Sequence, residues 1–205
     1  MKKLLVATKN QGKLKEISNF LSDLPFQTVS LSDVGIEDEF EEKGTTYKEN
    51  SQRKAIFYAK KSGLAAISDD GGIEIDTLNG APGIKSRRWL GYEASDEILI
   101  EHMKKIAEEL PKNNRKAYFR TVVSFALPDG KVWSVFGEVE GEIAEKPRLK
   151  FLKGYPYRSF FYIPKIKKFY HESDLSDNEQ KLYNHRYKAI QKLIPIIKRE
   201  MKIEK

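Results

Sequence analysis

The stretch Ser68-Asp69-Asp70-Gly71-Gly72-Ile73-Glu74-Ile75-Asp76, followed by Asn79-Gly80-Ala81-Pro82-Gly83, is the part of this chain most suggestive of chemistry. The apolar residues 64–67 before it predict a short buried strand, which we expect to end at the carboxylates Asp69 and Asp70. Proteins of α/β type bind ligands beyond the carboxyl ends of their strands, so acids at such an end are candidates for catalysis or metal binding. The adjacent glycines would let a ligand or metal approach the backbone closely. A surface turn is an equally good interpretation, because Asp-Gly is also common in hairpins.

The composition describes a globular protein with one sizeable core, since 40% of the 205 residues are hydrophobic and 33% are charged. We expect a single domain, residues 1–205, built of two lobes. Residues 1–7 are too short an apolar run for a signal peptide, and we interpret them as the first strand of a cytoplasmic protein. No run approaches the length needed to span a membrane. The lack of cysteine excludes disulfides, thiolate nucleophiles and cysteine-bound zinc.

Charge is unevenly distributed along the chain. Residues 1–141 hold 21 Lys and Arg against 22 Asp and Glu, a net charge of −1, whereas residues 142–205 hold 16 against 8, a net charge of +8. A basic C-terminal third favours anionic partners such as nucleotides, nucleic acid or a membrane surface. Ordinary solvated helix and loop surface explains the same charges at least as well.

A phosphate-binding arrangement is predicted near the N-terminus. Residues 2–7 are typical of a buried strand, and Thr8-Lys9-Asn10-Gln11-Gly12-Lys13 of a polar loop. Residues 14–24 have the apolar spacing of an amphipathic helix. A helix N-terminus attracts phosphate, and Lys13 adds a positive charge there, although the loop is not a Walker P-loop.

The rest of the chain alternates further strands and helices. An acidic run at residues 37–42 is typical of a solvated loop or a metal site. Thr45 or Thr46 is expected to cap a helix that ends near residue 62, before Gly63. The other expected elements are a strand at 26–31, a helix at 96–110 capped by Ser95, a hairpin of strands 117–127 and 132–143, a short strand at 160–163, and a helix at 178–203 that Pro195 kinks or restarts.

Taken together, the motifs resemble the inosine triphosphate pyrophosphatase family, whose members hydrolyse deaminated purine nucleoside triphosphates to monophosphate and pyrophosphate. The resemblance spans nearly the whole chain, in order. It rests on Thr8-x-Asn10-x-Gly12-Lys13-x-x-Glu16, Gly44-Thr45-Thr46-Tyr47-x-Glu49-Asn50, Lys54-Ala55, residues 68–88, Arg115-x-Ala117-x-Phe119, Gly141-Glu142-Ile143-Ala144 and His185-Arg186.

The resemblance implies an elongated, twisted mixed β-sheet flanked by helices, with two lobes and a central cleft. It implies Mg²⁺ as the cofactor, held by Glu42 and Asp70, with Asp70 also the general base and Asp69 supporting it. Such a metal suits the chemistry, because the charge on a triphosphate must be neutralised for it to be cleaved. The further substrate-binding residues that it implies are Thr8, Lys9, Asn10, Gln11, Gly12, Lys13, Lys54, Gly71, Tyr155, Pro156, Tyr157, Arg158, Lys181, His185 and Arg186. From the residues alone, Lys54 is equally well interpreted as a surface lysine on its helix, and the less favoured alternative for Glu42 is a solvated acid in the run 37–42.

The chain departs from the family pattern mainly in its basic third. Gly71 stands where the family usually has Ser, and Arg158 falls opposite an expected Asp in Tyr155-Pro156-Tyr157-Arg158-Ser159. The family's lysine falls at Gln180, or at Lys181 if the helix shifts by one residue. The resemblance therefore leaves open which base is preferred.

Two functions of different classes follow. The first is a metal-dependent pyrophosphatase acting on ITP, dITP and XTP, expected to be a homodimer with no membrane partner and no nucleic-acid partner. The alternative is a relative with an altered base pocket and weakened catalysis, which binds nucleotides or nucleic acid through its basic third.

Overall fold

The computed structural model describes residues 1–203 and contains a seven-stranded mixed sheet with helices. The strands are β1 (Lys3–Val6), β2 (Gln27–Val29), β3 (Ala65–Ile75), β4 (Lys116–Ala126), β5 (Val132–Ile143), β6 (Phe161–Ile163) and β7 (Lys168–Phe169). Their order in the sheet is β2-β1-β3-β4-β5-β6-β7. β1 is parallel to both β2 and β3, whereas β6 is antiparallel to β5 and β7. The predicted α/β class with a mixed sheet is confirmed.

Within residues 1–203, five α-helices accompany the sheet: α1 (Gln11–Phe20), α2 (Tyr47–Ser62), α3 (Asp96–Glu109), α4 (Asp177–Tyr183) and α5 (His185–Glu200). Their starts follow from capping. Thr46 accepts a hydrogen bond from the backbone N–H of Glu49 at the start of α2, and Ser95 accepts one from Ile98 at the start of α3. Gly63 ends α2 in the left-handed conformation, with φ of 68°. Among residues 1–203, none of the helices has the length and apolar character required to traverse a bilayer.

The chain divides into two compact units. The first comprises Met1–Asp70, Thr121–Gly137 and Arg186–Lys205, of which residues 204 and 205 lie outside the described part. Its core has two clusters. One packs β1, α1 and α5 around Leu4, Ile17 and Leu193, and the other packs β1, β2 and α2 around Leu5, Val29 and Ala55.

The second unit comprises Gly71–Arg120 and Glu138–His185. Its single core cluster packs α3 against the strands through Leu99, Met103 and Ala107. Phe160 and Phe161 lie fully buried in this cluster. Phe161 begins β6, whereas Phe160, expected in the same strand, ends the 3-10 turn before it.

Two predicted boundaries are wrong. The strand expected at residues 64–67 does not end at the carboxylates, because β3 continues through Asp69, Asp70 and both glycines to Ile75. The alternative interpretation of the Asp-Gly residues as a surface turn is wrong for the same reason. The C-terminal helix is broken at Asn184, in extended conformation, and α5 then continues through Pro195. Burial of Ala189, Ile190, Leu193 and Ile197 on one face of α5 outweighs the local cost of the proline.

The hairpin is confirmed. β4 and β5 are neighbours in the sheet, and the backbone N–H of Leu127 donates to the carbonyl of Lys131 across the turn between them (2.9 Å).

Candidate active site

Asp69 and Asp70 lie just beyond the carboxyl end of β1. The last residue pair between β1 and β3 is Val6 with Ile67, and the N–H of Ala7 donates to the carbonyl of Ile67 (2.8 Å). After that point β1 gives way to the loop that leads into α1. The acids therefore do flank the end of a parallel strand, as expected of an α/β site, but the strand is β1 rather than their own.

Asp70 is a buried carboxylate held at two points. Its side chain is contacted by the amide nitrogen Nδ2 of Asn50, which donates to Oδ2 (3.0 Å), and its carbonyl accepts from Thr121 Oγ1 (2.9 Å). Burial, followed by the negative charge of Glu42, raises the pKa of Asp70 to about 6. A carboxylate with a pKa so near neutrality is suited to accept a proton from water.

Glu42 lies in the same cluster, paired with Lys54. The ammonium Nζ of Lys54 is 2.5 Å from Glu42 Oε1, and Lys54 is 9% exposed. Although burial acts to raise it, the positive charge of Lys54 holds the pKa of Glu42 below its usual value. Burial lowers the pKa of Lys54, but Glu42 and Asp70 outweigh this and raise it above its usual value, so the lysine stays charged. The reading of both residues as solvated surface groups is therefore wrong.

Asp69 is fully buried and bound by two cations. The guanidinium of Arg186 donates through Nε (2.9 Å) and Nη2 (2.8 Å) to Asp69 Oδ2, and Lys13 Nζ lies 3.2 Å from the same oxygen. Burial acts to raise the pKa of Asp69, but Arg186 and Lys13 hold it well below its usual range. The other oxygen, Oδ1, has no hydrogen-bond partner among the described residues. Asp69 therefore stays ionised and anchors Lys13 beside the site.

The predicted phosphate loop is shorter than expected. Only Thr8, Lys9 and Asn10 precede the helix, because Gln11, Gly12 and Lys13 form the first turn of α1. Asn10 caps that turn by accepting from the N–H of Lys13 (3.0 Å). Lys9 Nζ lies 3.8 Å from Glu39 Oε2, and both side chains are exposed. The N-terminus of α1 and Lys13 thus follow β1, where the sequence predicted the phosphate-binding arrangement.

A second cluster lies in the other unit and is aromatic. The buried guanidinium of Arg158 lies 3.8 Å from the ring centroid of Tyr155 and 4.7 Å from that of Tyr170. The Tyr170 hydroxyl and His185 Nδ1 are 2.8 Å apart. The His185 ring stacks on Phe119 at 5.5 Å and 20°. Flat rings and a donor-rich guanidinium are the kinds of group that recognise a planar, acceptor-bearing ring.

The remaining predicted substrate residues are more dispersed. The hydroxyl of Tyr157 donates to the carbonyl of Ser86 (2.5 Å), and burial raises the pKa of this phenol. Pro156 is buried beside it, Gly71 is half-buried in β3, and Lys181 is exposed on α4. Arg186 belongs to the Asp69 cluster of the first unit, whereas the preceding His185 belongs to the aromatic cluster of the second.

Sequence reasoning assigned no role to several residues that shape these clusters. Glu16 and Asn50 stood within the quoted motifs, but their buried contacts to Arg186 and Asp70 had no signal in the sequence. Thr121 lies in an apolar strand, and Tyr170 in a segment to which no element was assigned.

The donor set suits a hard divalent cation that also binds substrate. Within residues 1–203, no group of three or more Asp, Glu or His side chains is arranged to hold a metal. Two carboxylates remain, Glu42 and Asp70, close enough for Glu42 to raise the pKa of Asp70. Proteins commonly bind Mg²⁺ through one or two carboxylates, and water and phosphate oxygens complete its coordination.

The fold and site define an α/β protein in which the buried Asp70 and the partly exposed Glu42 lie with Lys54 near the end of a parallel strand. A model of the Ham1 family matches residues 4–196, so the chain belongs to the Ham1 family. The dITP/XTP pyrophosphatase of Desulforamulus reducens is 35% identical over 197 residues, which cover 96% of each chain. That of Bacillus subtilis is 34% identical over 96% of this chain and 98% of its own.

Solved structures agree with the family assignment. The structure of a HAM1 protein from Coxiella burnetii has a TM-score of 0.80 and 31% identity, covering 97% of this chain and 100% of that one. The Staphylococcus aureus Ham1 protein gives a TM-score of 0.78 at 32% identity, with the same coverage. The resemblance read from the motifs is confirmed.

Proposed function

We propose that this protein is a nucleoside triphosphate pyrophosphatase that converts ITP, dITP and XTP to the monophosphate and pyrophosphate. The observation that carries the proposal is the buried Asp70, whose pKa is raised to about 6 by burial and by Glu42, with Lys54 beside them. The names of the relatives from Desulforamulus reducens and Bacillus subtilis support the same reaction.

The chain's own residues divide the chemistry between them. Lys13, Lys54 and the N-terminal amides of α1 bind the triphosphate. Glu42 and Asp70 would hold Mg²⁺, which when bound would neutralise phosphate charge and acidify water. Asp70 accepts the proton of the attacking water, and Asp69 keeps Lys13 and Arg186 in place. Direct attack by water needs no covalent intermediate, in agreement with the lack of cysteine.

Base recognition is assigned to the aromatic cluster of Tyr155, Arg158, Tyr170 and His185. A guanidinium has donors and no acceptor, so it binds the O6 and N7 acceptors of a 6-oxopurine and not the amino group of adenine. This complementarity favours deaminated purines over ATP. Pro156, Tyr157, Gly71, Lys181 and Arg186 remain proposed substrate contacts.

A panel of triphosphates tests the proposal. ITP, dITP, XTP and the four ordinary triphosphates are incubated with Mg²⁺, and pyrophosphate and orthophosphate are measured separately. We expect pyrophosphate from the deaminated purines and much less from ATP. Release of orthophosphate alone, or no turnover, would refute the proposal. Nucleic-acid binding with a steep salt dependence and no hydrolysis would instead support the binding relative.

The same resemblance leads us to propose a cytoplasmic homodimer. Sedimentation equilibrium distinguishes a mass near twice 23.7 kDa from that of a monomer.

A further inference from the structure

Asn50 connects the Asp70 carboxylate to the loop that carries Glu42 through one side chain. It lies on α2, is 0% exposed, and forms a hydrogen bond at each end of its amide group. Its Oδ1 accepts from the backbone N–H of Gly44 (2.7 Å), and its Nδ2 donates to Asp70 Oδ2 (3.0 Å). A backbone N–H can only donate, so the Gly44 contact fixes which end of the amide faces Asp70.

The Gly44 end of this link tolerates no added side chain. A Cβ at residue 44 would lie 2.4 Å from Asn50 Oδ1 and 3.1 Å from both Asn50 Cγ and Glu49 Cδ. Gly44 has no positive φ, so its backbone conformation alone does not demand glycine. The close approach of Asn50 is therefore the main steric demand for glycine at this position.

Gly44 follows Glu42 by two residues, so the anchored amide lies on the loop that carries the first carboxylate. One turn further along α2, Lys54 contacts Glu42 itself. α2 thus holds the Glu42 loop through Asn50 and Lys54, and holds Asp70 through the same Asn50.

We propose that Asn50 is a positioning residue, which fixes the Glu42 loop relative to Asp70 so that both carboxylates bind one divalent cation. This inference rests on the proposed function and adds a residue with no direct contact to substrate. Partners that orient metal ligands typically contribute about 10–100-fold to metal affinity or activity.

A double-mutant cycle tests the contact without any catalysis. Gly44→Ala, Asn50→Ala and the double variant are unfolded in urea. We expect Gly44→Ala to lower the midpoint clearly in the wild-type background and far less beside Asn50→Ala, because the clash partner is then gone. Equal shifts in both backgrounds would overturn the inference. Gly44→Ala reports on the contact even if Asn50→Ala folds poorly.

Amide hydrogen exchange and metal titration test the consequence. In Asn50→Ala, the Gly44 amide should exchange faster, and half-maximal activity should require roughly 10-fold more Mg²⁺. The KM for ITP at saturating Mg²⁺ should stay near its wild-type value. Ser51→Ala is the matched control, since Ser51 is equally buried on α2 but bonds Ser68 and Ser124 instead. It should leave both readouts unchanged.

The outcomes separate this inference from the proposed function. Hydrolysis with an unchanged Mg²⁺ requirement in Asn50→Ala would overturn the positioning role alone. A wild-type protein that hydrolyses no triphosphate would overturn the proposed function and the metal role with it, whereas the exchange of Gly44 would still report the contact.

Discussion

At the scale of single residues, the site concentrates ionisable groups in a buried space. Glu42, Lys54, Asp69 and Arg186 are arranged so that each buried charge faces an opposite one. Asp70 differs, because burial and the like charge of Glu42 raise its pKa by more than Lys54 and Lys13 lower it. A group held at such an unfavourable potential is typical of a catalytic position.

Asp70→Asn tests the catalytic role. The amide cannot accept a proton from water, so turnover of ITP should fall by about 10²–10⁴-fold. Circular dichroism should be unchanged, because the amide oxygen can still accept from Asn50 Nδ2. Glu108→Gln, an exposed acid on α3, is the control and should keep full activity. Unchanged turnover in Asp70→Asn would contradict the assignment.

The raised pKa of Asp70 also sets the direction of a pH effect on stability. Between pH 3.8, its value in an unfolded chain, and about pH 6, the folded protein binds the Asp70 proton more tightly than the unfolded chain does. The contribution of Asp70 to stability is therefore greatest below pH 3.8 and is lost as pH rises through about 6. Without metal, Asp70→Asn should be more stable than wild type at pH 7, by about 1–3 kcal/mol.

Urea unfolding in EDTA at several pH values measures this difference. The difference in the free energy of unfolding between Asp70→Asn and wild type should disappear below pH 4, where the side chain at residue 70 is neutral in both proteins. A gap that is constant with pH would mean that Asp70 has an ordinary pKa. Activity should fall in the same acid range, because the protonated carboxyl is not a base.

At the scale of elements, the sequence predicted the starts of α2 and α3 well and the long strand poorly. Caps such as Thr46 and Ser95 are local chemistry, which one sequence displays. β3 was missed because two aspartates and two glycines disfavour a strand. Its carboxylates are stabilised by distant partners, Asn50 and Arg186, that local patterns do not reveal. The same applies to α5, where packing overrides Pro195.

The capping residues Thr46 and Ser95 each stabilise a helix, but only the helix capped by Thr46, α2, carries residues of the site. Thr46→Ala and Ser95→Ala each remove a side-chain acceptor, so each should lower the free energy of unfolding by about 1 kcal/mol. Only α2 carries Asn50 and Lys54, so only Thr46→Ala should also reduce turnover. Urea unfolding and ITP assays on both variants measure the contrast. Equal loss of activity in the two would show that global stability alone sets the rate.

At the scale of the whole molecule, two clusters with different chemistry lie in different units. The first unit holds Glu42, Lys54, Asp69 and Asp70, which suit a triphosphate and a metal. The second holds Arg158 among aromatic rings, which suit a base. The sequence predicted the first set through its motifs. It left base preference open, since the partners of Arg158, above all Tyr170, are brought together only by folding.

This division predicts that substitutions in the two clusters have different kinetic signatures. Arg158→Gln removes a donor set for the O6 and N7 edge, so the ratio of kcat/KM for ITP to that for ATP should fall by about 10-fold, a bidentate contact being worth about 1–3 kcal/mol. Lys54→Gln should lower kcat/KM for every triphosphate by a similar factor and leave the ratio unchanged, because all of them share the same phosphates. The ratio does not depend on the fraction of active protein, so partial unfolding of either variant does not obscure the result. A constant ratio in Arg158→Gln would remove Arg158 from base recognition, and a changed ratio in Lys54→Gln would refute the separation of the two roles.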